Sequence, residues 1–261
     1  MQDKLILFSI IIFQLIFGSA TTFAQKNQLD DMGRKQGEWV KYQDGVKLYE
    51  GVFVDDYPQG EMLRYFKSGR LSSRSIFSEQ AKRCFTEFYY DERKPKLKAK
   101  GLYVNQIKDS LWLLYNDLGI LVAEEVYNMG IPHGLWKLYD YNGALIKETN
   151  YIQGKMDGAQ KEYFVEGGLK RLMNFESDTL NGLFQVYYSD GSLRLQGMFN
   201  HGFQDSIWVN YLADGSVEFE EHYEAGFLMK RVDAEGKPFE LPIEQDTIKI
   251  DKTPEEIMEI K

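Results

Sequence analysis

Hydrophobic and polar positions alternate in short runs along most of this chain, and glycine-containing turns separate the runs. Leu193-Arg194-Leu195-Gln196-Gly197-Met198-Phe199 and Val217-Glu218-Phe219-Glu220-Glu221-His222-Tyr223 alternate in part and end in an aromatic, as half-buried β-strands do. Ahead of such runs stand Asp44-Gly45, Ser68-Gly69, Asn142-Gly143, Asp190-Gly191 and Asp214-Gly215, with Leu118-Gly119 and Glu166-Gly167 in the same place. Asp-Gly and Asn-Gly are strong hairpin signals, because tight turns need residues that tolerate positive φ. A second set of turns is expected around Gly130, Gly154, Gly202 and Gly226. The predicted unit is therefore strand, tight turn, strand, turn.

The unit recurs. Gly134-Leu135-Trp136-x-x-Tyr139 aligns with Gly158 to Tyr163 and Gly182 to Tyr187, and the leading glycines are 24 residues apart (158 − 134 and 182 − 158). The same step reaches Ser110-Leu111-Trp112-x-x-Tyr115 in one direction and Ser206-Ile207-Trp208-x-x-Tyr211 in the other. Gly37-Glu38-Trp39-x-x-Tyr42, Gly60 to Tyr65 and a degenerate copy from Cys84 to Tyr89 complete eight units between Gly37 and Met229. Consecutive hairpins joined by short turns pair with their neighbours. The expected architecture is all-β: tandem β-hairpin repeats forming an extended, twisted antiparallel meander, stabilised between neighbours as solenoids are. No single hairpin buries a hydrophobic face, so the recurring Trp and Tyr are expected to stack on their equivalents in the next unit. Their three-residue separation puts them on opposite faces of a regular strand. A bulge would change that, so the sequence leaves open which row is covered.

The unit G-x-W-x-x-Y-x-x-x-G-x-L, followed by an aromatic and a glycine link, resembles the MORN repeat in its bacterial variant form. Gly134 to Leu145, with Tyr151 and Gly154, carries the pattern most fully. The resemblance implies an interaction or scaffolding module, in some members touching lipid. Bacterial members are often labelled antitoxin-like, which suits an exported chain poorly.

Export is read from the first residues. Lys4, an apolar run from Leu5 to Phe17 and the small-x-Ala site Thr22-Phe23-Ala24 form the three parts of a secretory signal peptide. The run is shorter than the roughly 20 apolar residues that span a bilayer. The expected organisation is a signal peptide at 1–24, a linker at 25–36, repeats at 37–229, and a C-terminal cap or acidic tail at 230–261. The tail contains a helix start at Thr253-Pro254-Glu255-Glu256. The expected location is periplasmic, cell-surface or extracellular.

Composition narrows the partners. The net charge of −9, from 31 basic and 40 acidic residues, opposes binding to nucleic acid. Cys84 is the one cysteine, so no intramolecular disulfide forms, and a buried apolar role is expected of it. The third unit departs from the pattern: Asp91 to Lys100 replaces the turn glycine and brings Lys94, Lys96, Lys98 and Lys100 together. His133, His201 and His222 lack metal-ligand spacing. Cys84 has no nearby His to serve as its base, and neither a nucleophile elbow nor a phosphate or dinucleotide loop is found. The expectation is a non-catalytic scaffold with no cofactor and no metal, binding another envelope or secreted protein. The candidate partner-binding residues are Trp112, Trp136, Trp208, Tyr115, Tyr139 and the four lysines. Peripheral binding of lipid or glycan through exposed aromatics and those lysines is the alternative.

Overall fold

A computed structural model describes residues 26–239; the expected signal peptide and the segment containing Thr253 lie outside the described residues. The described chain is one antiparallel sheet in which each strand pairs with the next in sequence. Eight hairpins build it. Their first strands are Lys35–Gln43, Tyr57–Tyr65, Arg83–Tyr89, Ile107–Tyr115, Gly134–Tyr139, Lys155–Tyr163, Gly182–Tyr187 and Phe203–Tyr211. Their second strands are Val46–Val54, Leu71–Ser78, Leu97–Val104, Leu121–Asn128, Leu145–Ile152, Leu169–Glu176, Leu193–Asn200 and Val217–Glu224. Short segments Ile131–Pro132 and Thr179–Leu180 prolong two of the first strands, while Gln28–Leu29 and Phe227–Asp233 flank the array.

The two turn sets differ in chemistry from the simplest reading of the dipeptides. Within hairpins, only Asp44-Gly45 has positive φ at both residues (52° and 78°). In the other dipeptides the first residue is not left-handed and the glycine is, joined by Gly168 after Glu166-Gly167; the glycine closes a longer turn such as Asp140 to Ala144, where Asp140 Oδ1 accepts the amides of Asn142 and Ala144. The links between hairpins have positive φ at two successive residues, as in Gln153-Gly154, His201-Gly202 and Ala225-Gly226, and also Asp55-Asp56, Asn105-Gln106 and Ser177-Asp178. Two left-handed residues in succession define the type I′ turn, whose twist matches that of paired strands. The third unit is irregular at both ends: Glu79, Gln80 and Ala81 all have positive φ in its entering turn, and Tyr90 to Lys96 makes a wider tip.

The first position of most units is a second special place. Gly37, Gly60, Gly134, Gly158 and Gly182 have positive φ there, and so do Ser110 (59°) and Ser206 (62°). The register slips at this point, for example between Thr149 and Tyr151 opposite Gly158, which is a bulge. Cys84, at the same place in the third unit, pairs without a slip.

Directly opposed residues in an antiparallel pair share a face, so the registers assign the whole sheet. One face carries the third position of each unit: Trp39, Met62, Thr86, Trp112, Trp136, Gln160, Phe184 and Trp208. A parallel row, Phe53, Phe77, Tyr103, Tyr127, Tyr151, Phe175, Phe199 and Tyr223, lies on the same side. Trp112 and Trp208 are only 2% and 3% exposed. Trp208 meets Phe199 edge-on at 5.0 Å and Phe184 at 5.4 Å, and Trp112 meets Tyr103 at 4.8 Å. The sheet is a single layer, and its core is this ladder of rings lying along its own surface.

Two interior glycines seat the rings. A Cβ at Gly101 would lie 2.3 Å from Trp112 Cδ2, and one at Gly197 would lie 2.1 Å from Trp208 Cδ2. Three of the four indole Nε1 groups donate to a carbonyl ten residues earlier, Trp112 to Leu102, Trp136 to Val126 and Trp208 to Met198, at 2.8–3.2 Å, while Trp39 donates to the carbonyls of Gln28 and Gln36. Where the second and third units meet, the ring face is small: Thr86 takes the third position, and Ser73 and Ser75 of Leu71–Ser78 lie beside it with Cys84, all buried. Ser75 Oγ and Cys84 Sγ lie 3.0 and 3.1 Å from Thr86 Oγ1.

Candidate interaction surface

The opposite face carries the tyrosines at the sixth position. Tyr139 and Tyr163 donate to Glu124 and Glu148, each fifteen residues earlier, at 2.6 and 2.7 Å, and Tyr65 donates to Glu50 in the same way. Tyr89 and Tyr187 bond Glu87 and Gln185 of their own strands. Burial, reinforced by the carboxylate partner, pushes the phenols of Tyr65, Tyr89, Tyr139 and Tyr163 up to about 12. Glu50 is held below the usual carboxylate range by the Lys47 ammonium and then by Tyr65. The phenols of the row therefore stay neutral well past the ordinary tyrosine range.

Beside this polar ladder runs an uncovered apolar stripe. Val52, Ile76, Phe85, Leu111, Leu135, Met198 and Ile207 are 37–47% exposed. Ile76 opposes Phe85, Phe85 opposes Leu102, and Leu111 opposes Val126. Leu183 opposes Met198 farther along. Asn150 and Asn174 interrupt the stripe, and their amides bond the carbonyls of Ala159 and Leu183 at 2.7 Å. On first strands the stripe residues are those at the second position, such as Phe85, Leu111, Leu135 and Ile207; on second strands they are the residues ahead of the parallel ring row, such as Val52, Ile76 and Met198. Each stands directly before a ring-face residue and so points away from the ring ladder.

The residues singled out in the sequence fall in different places. Trp112 and Trp208 are buried in the ladder, and Trp136 is half-buried there, between Tyr127 and Tyr151. Tyr115 and Tyr139 are half-buried on the other face. Lys94 is exposed. Lys96 is tied to Glu92 at 2.9 Å and to the Asp117 carbonyl. Lys98 and Lys100 lie over the rings of Tyr90 (5.7 Å) and Tyr115 (6.0 Å). The lysines thus spread from hairpin tip to sheet face. The stripe residues were not among the candidates; the signal for them is an apolar residue next to each ring position, where strand alternation requires the opposite side.

The ring face has shallow depressions where the third unit is small. One of about 480 Å³ is lined by Phe66, Ser73, Phe88, Tyr103, Lys108 and Trp112. Among the described residues no group of three or more His, Cys, Asp or Glu side chains is placed to hold a metal ion. Cys84 is a buried free thiol.

A search of curated proteins finds no match. Among solved structures, the crystal structure of an S. aureus TarM mutant in complex with fondaparinux, alpha-GlcNAc-glycerol and UDP aligns at 13% identity and a TM-score of 0.29, over 40% of this chain and 19% of that one. The TcdB2-TccC3 crystal structure aligns at 12% identity and a TM-score of 0.23, over 79% of this chain and 14% of that one. This chain spans less than a fifth of either length. The MORN repeat variant family matches residues 132–153 and 180–201, one link and hairpin in each case. The chain carries MORN-variant repeats, a repeat type found in modules that bind proteins or membranes.

Proposed function

We propose that this protein is a non-catalytic, exported scaffold that binds another envelope or secreted protein through the apolar stripe of its tyrosine face. The observation that carries the reading is the stripe itself. Exposed apolar residues scattered singly need no explanation, whereas runs such as Ile76 to Leu135 and Leu183 to Ile207 across successive strands, rimmed by polar groups, mark an interaction surface. The tryptophan face supports the division of roles, since its rings are consumed in holding a single-layer sheet together. The lipid or glycan alternative has less behind it: of the lysines at 94, 96, 98 and 100, only Lys94 and Lys98 are exposed.

The test is photo-crosslinking in the native envelope, with the reactive group at Ile207 on the stripe and, as control, at Leu138 on the ring face. Capture of a protein from Ile207 and not from Leu138 supports the scaffold. Capture of lipid or glycan alone, or equal capture from both faces, sinks it.

A further inference from the structure

The tyrosine face carries a charge pattern with a centre. On the strand Ile107–Tyr115, Leu111 lies in the stripe and Leu113 in the row beside it. Moving outward from Leu113, the row reads Lys100 and Glu124, then Glu87 and Lys137, then Arg74 and Glu148. At each step the residue on one side is opposite in charge to the residue on the other. Moving outward from Leu111, the stripe reads Val126 on one side and, past the bulge at Ser110 where Leu102 registers with Asp109, Leu102 on the other; Phe85 and Leu135 follow, apolar on both sides. Alternation alone is explained by pairing of neighbours within the sheet. It does not require a neutral leucine at the point of inversion, nor an apolar stretch centred on the same strand.

We infer that the middle of this face takes a second copy of the chain. The inference rests on the scaffold reading in assigning the tyrosine face to protein binding. A two-fold axis lying between the sheets, parallel to Ile107–Tyr115, sets each residue over its counterpart. Leu111 and Leu113 then meet themselves. Phe85 meets Leu135 of the other copy, Lys100 meets Glu124, Glu87 meets Lys137 and Arg74 meets Glu148. The contact is isologous, so each ion pair occurs twice. The six charges of the row cancel although the chain carries −9, so like-charge repulsion does not oppose the contact locally. Seven strands at about 4.8 Å, over about 20 Å of strand, give about 700 Å² of face per copy. Two such faces come to about 1,400 Å², inside the roughly 1,200–2,000 Å² of standard stable interfaces.

The mature chain is examined by sedimentation equilibrium over a wide concentration range and at low and high salt. Dimerisation that weakens with salt is expected. Leu111→Cys, treated with a short bis-maleimide, is expected to give a covalent dimer, because this residue lies on the axis and is exposed. Ile207→Cys, on the same stripe but far from the axis, is expected to stay uncrosslinked, and Cys84 is buried in both. Lys100→Glu and Glu124→Lys should each weaken the dimer about tenfold or more by doubling like-charge contacts, and the two together should restore it. A monomer at every concentration overturns the inference, as does equal crosslinking at Ile207 or failure of the combined variant to recover. Envelope capture from Ile207 would still support the scaffold in that case, so the two failures are separable.

Discussion

Replacing Gly197 by alanine isolates the contact that builds the core. In an ordinary strand this change stabilises by roughly 0.5–1 kcal/mol, because glycine loses more backbone freedom on folding. Here Gly197 has no positive φ to protect, so space decides. The added Cβ would lie 2.1 Å from Trp208 Cδ2 and 2.4 Å from Cε2. Those atoms belong to a rigid bicycle whose Nε1 is bonded to Met198 O at 3.2 Å and whose faces touch Phe184 and Phe199. The ring has to lift off the strand. Overpacking of this kind costs about 1–3 kcal/mol, and loosening the indole bond adds about 1 kcal/mol. Against the backbone gain, a net loss of about 2–3 kcal/mol is expected. Urea unfolding followed by both Trp fluorescence and far-UV circular dichroism measures it. The decisive arm is a cycle with Trp208→Leu: once the ring is gone, Gly197→Ala should be neutral or stabilising. An alanine tolerated beside the native tryptophan, or an equal cost in both backgrounds, would refute the ring-on-glycine packing.

The raised phenols set the alkaline limit. Free tyrosine loses its proton near pH 10, whereas Tyr65, Tyr89, Tyr139 and Tyr163 hold theirs to about 12. Above pH 10 the unfolded chain therefore binds fewer protons than the folded one, and stability falls as pH rises towards 12. Ultraviolet titration should show a late phenolate step, part of which moves down in Glu148→Gln; a single step near 10 would contradict the ladder. Trp136→Phe keeps a ring but removes the 2.8 Å bond to Val126 O, an expected loss of about 1 kcal/mol in denaturant unfolding. Ala225, at φ 49° ahead of Gly226, strains a type I′ turn, so Ala225→Asn should stabilise by up to about 1 kcal/mol. An unchanged or lower midpoint would count against that turn assignment.

The repeat was legible because each unit repeats its turn chemistry, and the turn residues act locally. Asp44-Gly45 and Ala225-Gly226 announce turns whatever they later pack against. The facing of the rows was harder to read, because it depends on which residues oppose each other across strands. The bulges at Gly158, Gly182 and Ser110 shift that register without any change in composition. Gly101 and Gly197 show the difficulty most clearly. Gly197 lies inside a run that reads as a strand and Gly101 in the matching place of an earlier unit, yet the role of each lies in a tryptophan eleven residues later (112 − 101 and 208 − 197). The third unit reads as irregular in sequence, and the small buried cluster that its Cys84 and Thr86 form with Ser73 and Ser75 of the second unit follows from the absence of a ring at Thr86. The tryptophans drew notice as candidates because large aromatics serve both cores and interfaces. Only burial separates the two uses, and burial is a property of the neighbouring strand.

A single-layer sheet has to place its stability on one face if the other is to remain free. The indole bonds, the ring contacts and the glycine seats all lie on the tryptophan side. On the tyrosine side, the phenol–carboxylate ladder occupies one row and leaves the stripe row without a packing partner. Changes in the stripe should therefore be nearly silent in the stability of the separate chain: at concentrations too low for two copies to associate, Leu111→Glu removes an exposed side chain from no core and is expected to shift the unfolding free energy by less than about 0.5 kcal/mol. Gly197→Ala, seven strands away on the other face, should cost several times more. That contrast is what lets a repeat of this kind vary its binding row while keeping its fold, because selection on the one face need not be felt on the other.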